Sequence, residues 1–237
     1  MSTYVLIHGA WHGSWCWDSV VSLLKKEGHT VKVPNLPGHG GDKTPITELS
    51  LQAYTDCVCH ILDAQSEPVI LVGHSMGGVV ITQAAEFRPE KIKILVYLAA
   101  FLPQNGESLF DLIGIDSATL ILPNLIMADD QSCTMIKNEA IKDVFYGDCS
   151  DDDVKRAKSL LVPEPLAPSA ASVNISEEKF GKTRRVYISC LRDKAVSPAL
   201  QEKMYKALPC EKVIFMDTCH SPFFSSPEAL VGHLLSL

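Results

Sequence analysis

The chain has 237 residues, of which 46% are hydrophobic and 21% are charged, and its 21 basic and 28 acidic side chains leave a net charge of −7. This balance is typical of a globular domain with a sizeable core, and no Lys/Arg run of five or more offers a nucleic acid a basic patch. No apolar stretch reaches the roughly 18 residues that span a bilayer and no secretory leader opens the chain, so we expect a cytoplasmic protein with no membrane contact.

The first half of the chain alternates short apolar runs with stretches of helical periodicity. The predicted strands cover 3–7, 30–33, 69–72 and 92–98, and the predicted helices cover 18–26, 51–64 and 76–87. Ser50 is a suitable cap for the helix that begins at Leu51. Strands and helices that alternate at these lengths predict an α/β fold, with a mostly parallel central sheet covered by helices on both faces.

The pattern changes after Pro103 and returns at about residue 183. Between these points the chain has helix-like segments at 109–115, 120–127, 135–146 and 151–161 and no convincing strand. The alternation then resumes with strands 185–190 and 212–216 and helices 198–208 and 227–237. We therefore predict a single domain, 1–237, with a core of 1–103 and 183–237 and a mainly helical cap inserted at about 104–182.

A possible nucleophile lies in the motif Gly73-His74-Ser75-Met76-Gly77, which follows the third predicted strand and precedes a buried helix. A sharp strand-to-helix turn exposes the serine hydroxyl, and its crowded flanking positions favour glycine. The start of the helix would add a partial positive charge at the same place. The sequence therefore predicts nucleophilic chemistry at Ser75.

Ser75 needs a base within hydrogen-bond reach and an acid that orients the base, because a serine hydroxyl is a poor nucleophile at neutral pH. His220 follows strand 212–216 and Asp193 follows strand 185–190, so both should lie at the sheet edge that carries Ser75. Asp217 is nearer to His220 in sequence and is the alternative acid, but we favour Asp193 because Asp217 sits where it can cap the end of the strand. The other histidines, including His74, are expected in surface, turn or core positions.

An oxyanion intermediate needs preorganised donors, usually two backbone N–H groups. Met76 supplies one by its position directly after Ser75. We expect the second from the loop that follows the first strand, where Gly9 and Ala10 let the backbone approach a substrate, and we choose Ala10. Trp11, in the same loop, is the tryptophan most suited to touch the substrate.

Eight cysteines could indicate disulfides or a metal site, but neither pattern fits. There is no C-x-x-C pair, and the cluster Cys57-Val58-Cys59-His60 lies in a helix-like stretch where positions two apart face different directions. We predict free, mostly buried thiols, and neither a metal nor another cofactor.

Four segments together resemble one branch of the α/β-hydrolases, the hydroxynitrile lyases, plant methylesterases and similar bacterial carboxylesterases that include pyrethroid-hydrolysing enzymes. The segments are 7–17, 71–78, 97–103 and 220–227, and the resemblance covers nearly the whole chain except the middle of the cap. It implies the α/β-hydrolase fold and a cofactor-free ester hydrolase that often dimerises. It also implies Ser75, Asp193 and His220 as the triad and Ala10 and Met76 as oxyanion donors.

Two positions separate the chain from the lyases of that branch. The lyases have a threonine where this chain has Gly9, and a lysine that holds departing cyanide where this chain has Ser221. Gly9 matches the esterase members, and Ser75 is retained where the methylketone synthases have lost it. Cys219 stands where many relatives have aspartate.

We therefore expect a serine carboxylesterase that forms an acyl-enzyme at Ser75. The cap is rich in apolar side chains, which favours small to medium hydrophobic esters as substrates. These side chains include Leu112, Ile113, Leu122, Ile126, Phe145 and Leu161, to which Phe223 and Phe224 from the core are added. The alternatives are another reaction on the same fold, such as lactone, amide or carbon–carbon hydrolysis or cyanohydrin cleavage, and a ligand-binding receptor with a vestigial triad.

Overall fold

Six of the apolar runs form one parallel sheet in the computed structural model, which describes residues 1–237. Its strands are β1 (Thr3–Ile7), β2 (Thr30–Lys32), β3 (Val69–His74), β4 (Ile92–Leu98), β8 (Arg185–Cys190) and β9 (Lys212–Met216), in the order β2-β1-β3-β4-β8-β9. Every neighbouring pair is parallel. The chain crosses from one half of the sheet to the other between β1 and β3, so the carboxyl ends of these two strands form the crevice where open α/β sheets place their sites.

The sheet is covered on both faces, as the sequence predicts. Alternate residues of β1 point to opposite sides, with Val5 and Ile7 in the larger apolar core and Tyr4 and Leu6 in the smaller one. The larger core packs α2 (Leu51–Asp63), α3 (Gly77–Phe87) and α8 (Pro198–Ala207) on the sheet, and the smaller core packs α1 (Asp18–Lys26) and α10 (Pro227–Leu235). A short helix, α9 (Pro222–Ser225), leads into α10.

Most element boundaries agree with the sequence prediction to within one or two residues. Strands β1, β4, β8 and β9 and helix α1 have the predicted bounds. Ser50 caps α2 as expected, since its Oγ accepts a hydrogen bond from the Ala53 amide at 3.1 Å. None of the helices combines the length and the apolar composition that crossing a membrane requires.

Residues 104–182, here called the cap segment, are less helical than predicted, because 120–127 is not an α-helix and 135–146 is helical only at 141–145. Four helices are present, α4 (Leu109–Gly114), α5 (Ile141–Phe145), α6 (Asp151–Leu160) and α7 (Leu166–Ala170). The expectation of no strand is wrong, because β5 (Leu125–Met127), β6 (Cys133–Ile136) and β7 (Glu164–Pro165) form an antiparallel sheet. These strands have two to four residues, too few for a period of two to stand out in the sequence.

Candidate active site

The motif around Ser75 forms a tight turn between β3 and α3. Ser75 has a φ of 53°, a left-handed conformation that is strained for a residue with a side chain. A Cβ at Gly73 would lie 2.6 Å from the Gly77 carbonyl oxygen, and a Cβ at Gly77 would lie 2.8 Å from the carbonyl oxygen of His8. Both flanking positions therefore have no room for a side chain, as the sequence analysis assumed.

Three backbone hydrogen bonds hold the strained turn. The Ser75 amide donates to the Leu98 carbonyl at 3.3 Å, and the Ser75 carbonyl accepts from the amides of Gly78 and Phe101 at 3.0 and 3.1 Å. The turn is thus fixed to the end of β4 and to the segment that follows it. Ser75 itself is 5% exposed.

His220 and Asp193 lie side by side at the same edge of the sheet. His220 Nδ1 is 2.8 Å from Asp193 Oδ2, and both side chains are buried. Asp193 Oδ1 accepts from the amides of Ala195 and Val196 at 2.8 and 3.0 Å, and Gln201 Nε2 donates to Oδ2 at 3.1 Å. These donors hold the carboxylate in place, so it can orient one tautomer of the His220 ring.

Asp217, the alternative acid, lies elsewhere. Its Oδ1 is 2.9 Å from Arg192 Nε, and 78% of its side chain is exposed. The carboxylate that faces the His220 ring nitrogen is that of Asp193.

Ser75 and His220, unlike His220 and Asp193, are not joined by a direct side-chain hydrogen bond. The structure has no hydrogen bond between Ser75 Oγ and the His220 ring, and such bonds often tighten only when a substrate is bound. The two residues are linked through His74, which precedes Ser75 and donates from Nε2 to the His220 carbonyl at 2.8 Å. The rings of His74 and His220 have centroids 4.4 Å apart.

Two backbone amides beside Ser75 have no partner in the protein. Ala10 is 7% exposed and Met76 is 2% exposed, and neither N–H donates a hydrogen bond to another protein group. More than nine in ten buried backbone amides are paired in native proteins, so two unpaired ones beside a serine are notable. The sequence predicts these two as oxyanion donors, and the buried amide of Gly9 likewise donates to no protein group.

Gly9 packs directly against the serine. A Cβ at position 9 would lie 2.7 Å from the Ser75 Cβ and 3.1 Å from His74 Nδ1. Any larger residue at this position would therefore push the serine turn or the loop away from its present place.

Trp11 follows Ala10 in a left-handed conformation, with a φ of 62°. All its polar groups bind the cap segment: the amide donates to Glu164 Oε2 at 2.9 Å, Nε1 donates to the Thr134 carbonyl at 3.0 Å, and the Trp11 carbonyl accepts from the Val162 amide at 3.0 Å. Its ring also packs on Phe145, with centroids 5.6 Å apart, and lines the cavity described below.

Three histidines around the site are fully buried and uncharged at neutral pH. Burial is the main cause that lowers the pKa of His8, His12 and His74, and for His12 the lowered value is about 3. His8 Nδ1 lies 2.9 Å from the Gly9 carbonyl, and His12 Nδ1 lies 2.7 Å from that of Ala10. A neutral histidine can donate from this nitrogen, so both rings fix the loop that carries the Ala10 amide.

One buried acidic residue was missed by the sequence analysis. Glu164 belongs to the cap segment and is 2% exposed, with Oε2 2.8 Å from His39 Nε2 and Oε1 3.3 Å from the Tyr54 hydroxyl. Burial lowers the pKa of His39, but the charge of Glu164 and hydrogen bonds outweigh it, so the pKa lies above its ordinary value. The available signal was an acidic residue inside the apolar, proline-rich stretch 162–168.

A mainly apolar cavity opens above Ser75. Eleven of its sixteen lining residues are hydrophobic. Of the apolar residues singled out in the sequence, Ile113 and Leu122 line this cavity, whereas Leu112 and Phe145 are buried in the core and Ile126 is 48% exposed. The cavity also contains Ala10, Trp11, Ser75 and Met76.

The eight cysteines are free. Cys149 and Cys219 are buried with their Sγ atoms 4.0 Å apart, and with Asp148 they form the group whose possible metal-ligand atoms all lie within 4.8 Å of one another. Asp148 Oδ2 already accepts from the Cys219 amide at 2.9 Å and from Arg192 at 3.0 Å, so its position is explained without a metal. The sequence could not show this group, because its cysteines are 70 residues apart.

Comparison with known proteins gives consistent matches. The sequence profile of the alpha/beta hydrolase family matches residues 4–233. Methylesterase 2 from Arabidopsis thaliana is 31% identical over 250 residues, which cover 99% of this chain and 95% of the relative. Putative methylesterase 11, chloroplastic, from the same species is 32% identical over 99% of this chain. The chain spans 63% of the length of that protein and 54% of the lengths of putative methylesterases 13 and 15.

Solved structures show the same fold. The methylesterase MES16 from Arabidopsis superposes with a TM-score of 0.86 at 27% identity, with 100% of this chain and 98% of the other covered. A pyrethroid hydrolase from Sphingobium faniae JZ-2 superposes with a TM-score of 0.87 at 27% identity, with 99% and 96% covered.

Proposed function

Because the chain belongs to the alpha/beta hydrolase family, we propose that it is a serine carboxylesterase, which hydrolyses small to medium hydrophobic esters through an acyl-enzyme. The observation that carries the proposal is the 2.8 Å contact between His220 Nδ1 and Asp193 Oδ2 at the sheet edge that holds Ser75 in its strained turn. The unpaired amides of Ala10 and Met76 give the same site two donors for a developing negative charge.

The proposed reaction begins when Ser75 Oγ attacks the ester carbonyl. His220 takes the serine proton at Nε2, while Asp193 fixes the ring and stabilises its positive charge. The negative oxygen of the tetrahedral intermediate binds the Ala10 and Met76 amides. His220 then passes the proton to the departing alcohol, and a water molecule activated by His220 hydrolyses the acyl-enzyme.

The substrate class follows from the cavity and is supported by the relatives. Its lining is mainly apolar, so it favours hydrophobic acyl or alcohol parts over charged ones. Relatives of this chain are named methylesterases, and one structural neighbour is a pyrethroid hydrolase. These names support an ester of hydrophobic character without identifying it.

Two positions argue against cyanohydrin cleavage. Gly9 leaves no space beside Ser75 for the threonine of the resembling lyases without a shift of the turn. Ser221, directly after the proposed base, is a buried neutral side chain that offers no positive charge to a departing cyanide.

The proposal is tested by hydrolysis of p-nitrophenyl butyrate, run beside a lactone and a cyanohydrin. Ser75→Ala should reduce turnover of the ester by at least about 10³-fold, because the nucleophile is lost while the donors remain. Circular dichroism checks that the variant is folded. Appreciable turnover by folded Ser75→Ala would refute the mechanism, and no turnover of any ester by the wild-type chain would favour a ligand-binding role.

Oligomeric state and location stay predictions of the sequence. We propose a homodimer on the basis of the resemblance, and size-exclusion chromatography with light scattering measures it. The cytoplasmic location is likewise a proposal, and several of the relatives are named chloroplastic.

A further inference from the structure

In the loop between β1 and α1, the carbonyls of Gly9 and Ala10 and the amide of Trp11 are all held by side chains. The Gly9 carbonyl contacts His8 Nδ1 at 2.9 Å, and the Ala10 carbonyl contacts His12 Nδ1 at 2.7 Å. The next amide, that of Trp11, donates to Glu164 Oε2 at 2.9 Å. The Ala10 amide, like that of Gly9, donates to no protein group, and Ala10 lines the cavity that contains Ser75.

The Ala10–Trp11 peptide plane is therefore held at both ends. Its carbonyl oxygen is bound by His12 of the same loop, and its N–H is bound by Glu164 of the cap segment. The Ala10 N–H belongs to the preceding Gly9–Ala10 plane, which shares the Ala10 Cα with this one, so a displacement of the Ala10–Trp11 plane also displaces the Ala10 amide. The left-handed φ of Trp11 makes such a restraint necessary, because a tryptophan does not favour this conformation on its own.

Glu164 is well suited to hold the plane. Three donors surround its carboxylate: the Trp11 amide and His39 Nε2 on one oxygen, and the Tyr54 hydroxyl on the other. His39 and Tyr54 are themselves buried, so the carboxylate has little freedom to move. Its single contact with the loop is the amide next to the proposed oxyanion donor.

We propose that Glu164 is a positioning residue of the active site, which acts through the Trp11 amide to hold the Ala10 amide towards the oxyanion. The inference rests on the proposed ester hydrolysis. The cap segment would then affect the rate of the reaction as well as line the cavity. What matters in this role is an oxygen acceptor at the correct distance from Trp11, and the negative charge of Glu164 is secondary.

Two substitutions separate distance from charge. Glu164→Gln keeps the length of the side chain and an oxygen that can accept from Trp11, but it removes the charge. Glu164→Asp keeps the charge and withdraws the carboxylate by about 1.5 Å, one carbon–carbon bond. We expect Glu164→Gln to keep kcat within about threefold of wild type, and Glu164→Asp to lower kcat at least about tenfold with little change in KM, since loss of an oxyanion donor costs about 10²–10³-fold.

Glu86 provides a matched control. It is also a largely buried carboxylate that accepts from backbone amides, those of Ser176 and Phe180 at 2.8 and 3.3 Å, but it lies outside the cavity. Glu86→Asp should lower thermal stability about as much as Glu164→Asp while leaving kcat close to wild type. Equal losses of kcat in the two aspartate variants would reduce the role of Glu164 to general stability and overturn the inference.

Hydrogen exchange of the Trp11 amide gives a readout that does not depend on catalysis. The full-length chain should exchange this amide faster in Glu164→Asp than in wild type or Glu164→Gln. Unchanged exchange in Glu164→Asp, or a kcat in Glu164→Gln as low as in Glu164→Asp, would overturn the inference. If wild type hydrolyses no ester, the proposed function fails, whereas an active wild type with an unaffected Glu164→Asp variant refutes only the role of Glu164.

Discussion

The carboxylates of Asp193 and Asp217 have opposite surroundings. Asp193 is buried and accepts from two amides, a glutamine and the His220 ring, whereas Asp217 is exposed and paired with Arg192. Asp193→Asn should lower kcat by about 10³–10⁴-fold, because an amide no longer stabilises the charged histidine or its required tautomer. Asp217→Asn should have a small effect, since exposed ion pairs contribute little.

Initial rates with p-nitrophenyl butyrate at constant pH test this pair of variants. Both substitutions are isosteric, so each is the control of the other. An Asp193→Asn variant that keeps most of its activity while Asp217→Asn loses it would transfer the role of the acid to Asp217.

The sequence pattern identified the functional residues that follow strands, but it did not identify Glu164. Ser75, Asp193 and His220 each follow an apolar run, and parallel strands bring their carboxyl ends to one edge, so the topology predicts their proximity. Glu164 meets Trp11 and His39 across 153 and 125 residues of sequence. No periodicity connects these positions, since the contact depends on how the cap segment packs on the core.

At the scale of elements, the contact between α3 and the end of β4 depends on Gly78. A Cβ at this position would collide with the Phe101 carbonyl oxygen and lie 2.9 Å from the Ala100 Cβ. Gly78→Ala should therefore lower the free energy of unfolding by about 3 kcal/mol, because backbone must shift to make room. Urea unfolding followed by circular dichroism measures the change.

Gly232 is the matched control for this substitution. It lies inside α10, and a Cβ there would meet nothing within 4 Å. Gly232→Ala should raise the free energy of unfolding by about 0.5–1 kcal/mol, because alanine is the better helix former. Equal effects of the two substitutions would show that α3 can move away from the end of β4 at little cost.

The elements that sequence reasoning predicted well are those with a long or fully buried pattern. Strand β3 is buried at all six positions, and α1 has the apolar spacing of one helix face. In the cap segment, residues 120–127 look helical in sequence, yet 125–127 pair with 134–136 as strands. Short strands take their conformation from the partner strand, and sequence spacing alone does not identify that partner.

At the scale of the whole molecule, the buried histidines make stability depend on pH. The pKa values of His8, His12 and His74 are lowered on folding, so the unfolded chain takes up protons first as the pH falls below about 6.5. Their contribution is complete above that pH and is lost as the pH falls through the folded pKa, which is about 3 for His12. Below about pH 6, each of these histidines should lower the free energy of unfolding by about 1.4 kcal/mol for every pH unit.

Urea unfolding at pH 7.5, 6 and 5 measures this dependence. In His12→Gln, the number of protons taken up on unfolding should fall by about one, so the free energy of unfolding should depend less steeply on pH. His39 acts in the opposite direction, because its pKa is raised on folding: its contribution is present below about pH 6.5 and is lost as the pH rises through its folded pKa. A free energy of unfolding that stays constant from pH 7.5 to 5 would contradict the expected uptake of protons.

The mainly apolar cavity predicts which substrates the molecule prefers. p-Nitrophenyl esters with acyl chains of four to eight carbons should give a kcat/KM well above that of p-nitrophenyl hydrogen succinate, whose carboxylate has no cationic partner among the lining residues. Steady-state kinetics on this series measures the ratio. A preference for the charged ester would contradict an apolar binding site.

Trp11 forms three hydrogen bonds with residues 134, 162 and 164, and these bonds limit which cap segments can replace the present one. Exchanging this insertion for that of a relative would be the natural way to engineer a new specificity, since most of the cavity wall belongs to it. A chimera made in this way would also lose the acceptor that its own loop depends on. Specificity and turnover are thus not independent modules here, and a successful graft must bring an oxygen to the place of Glu164.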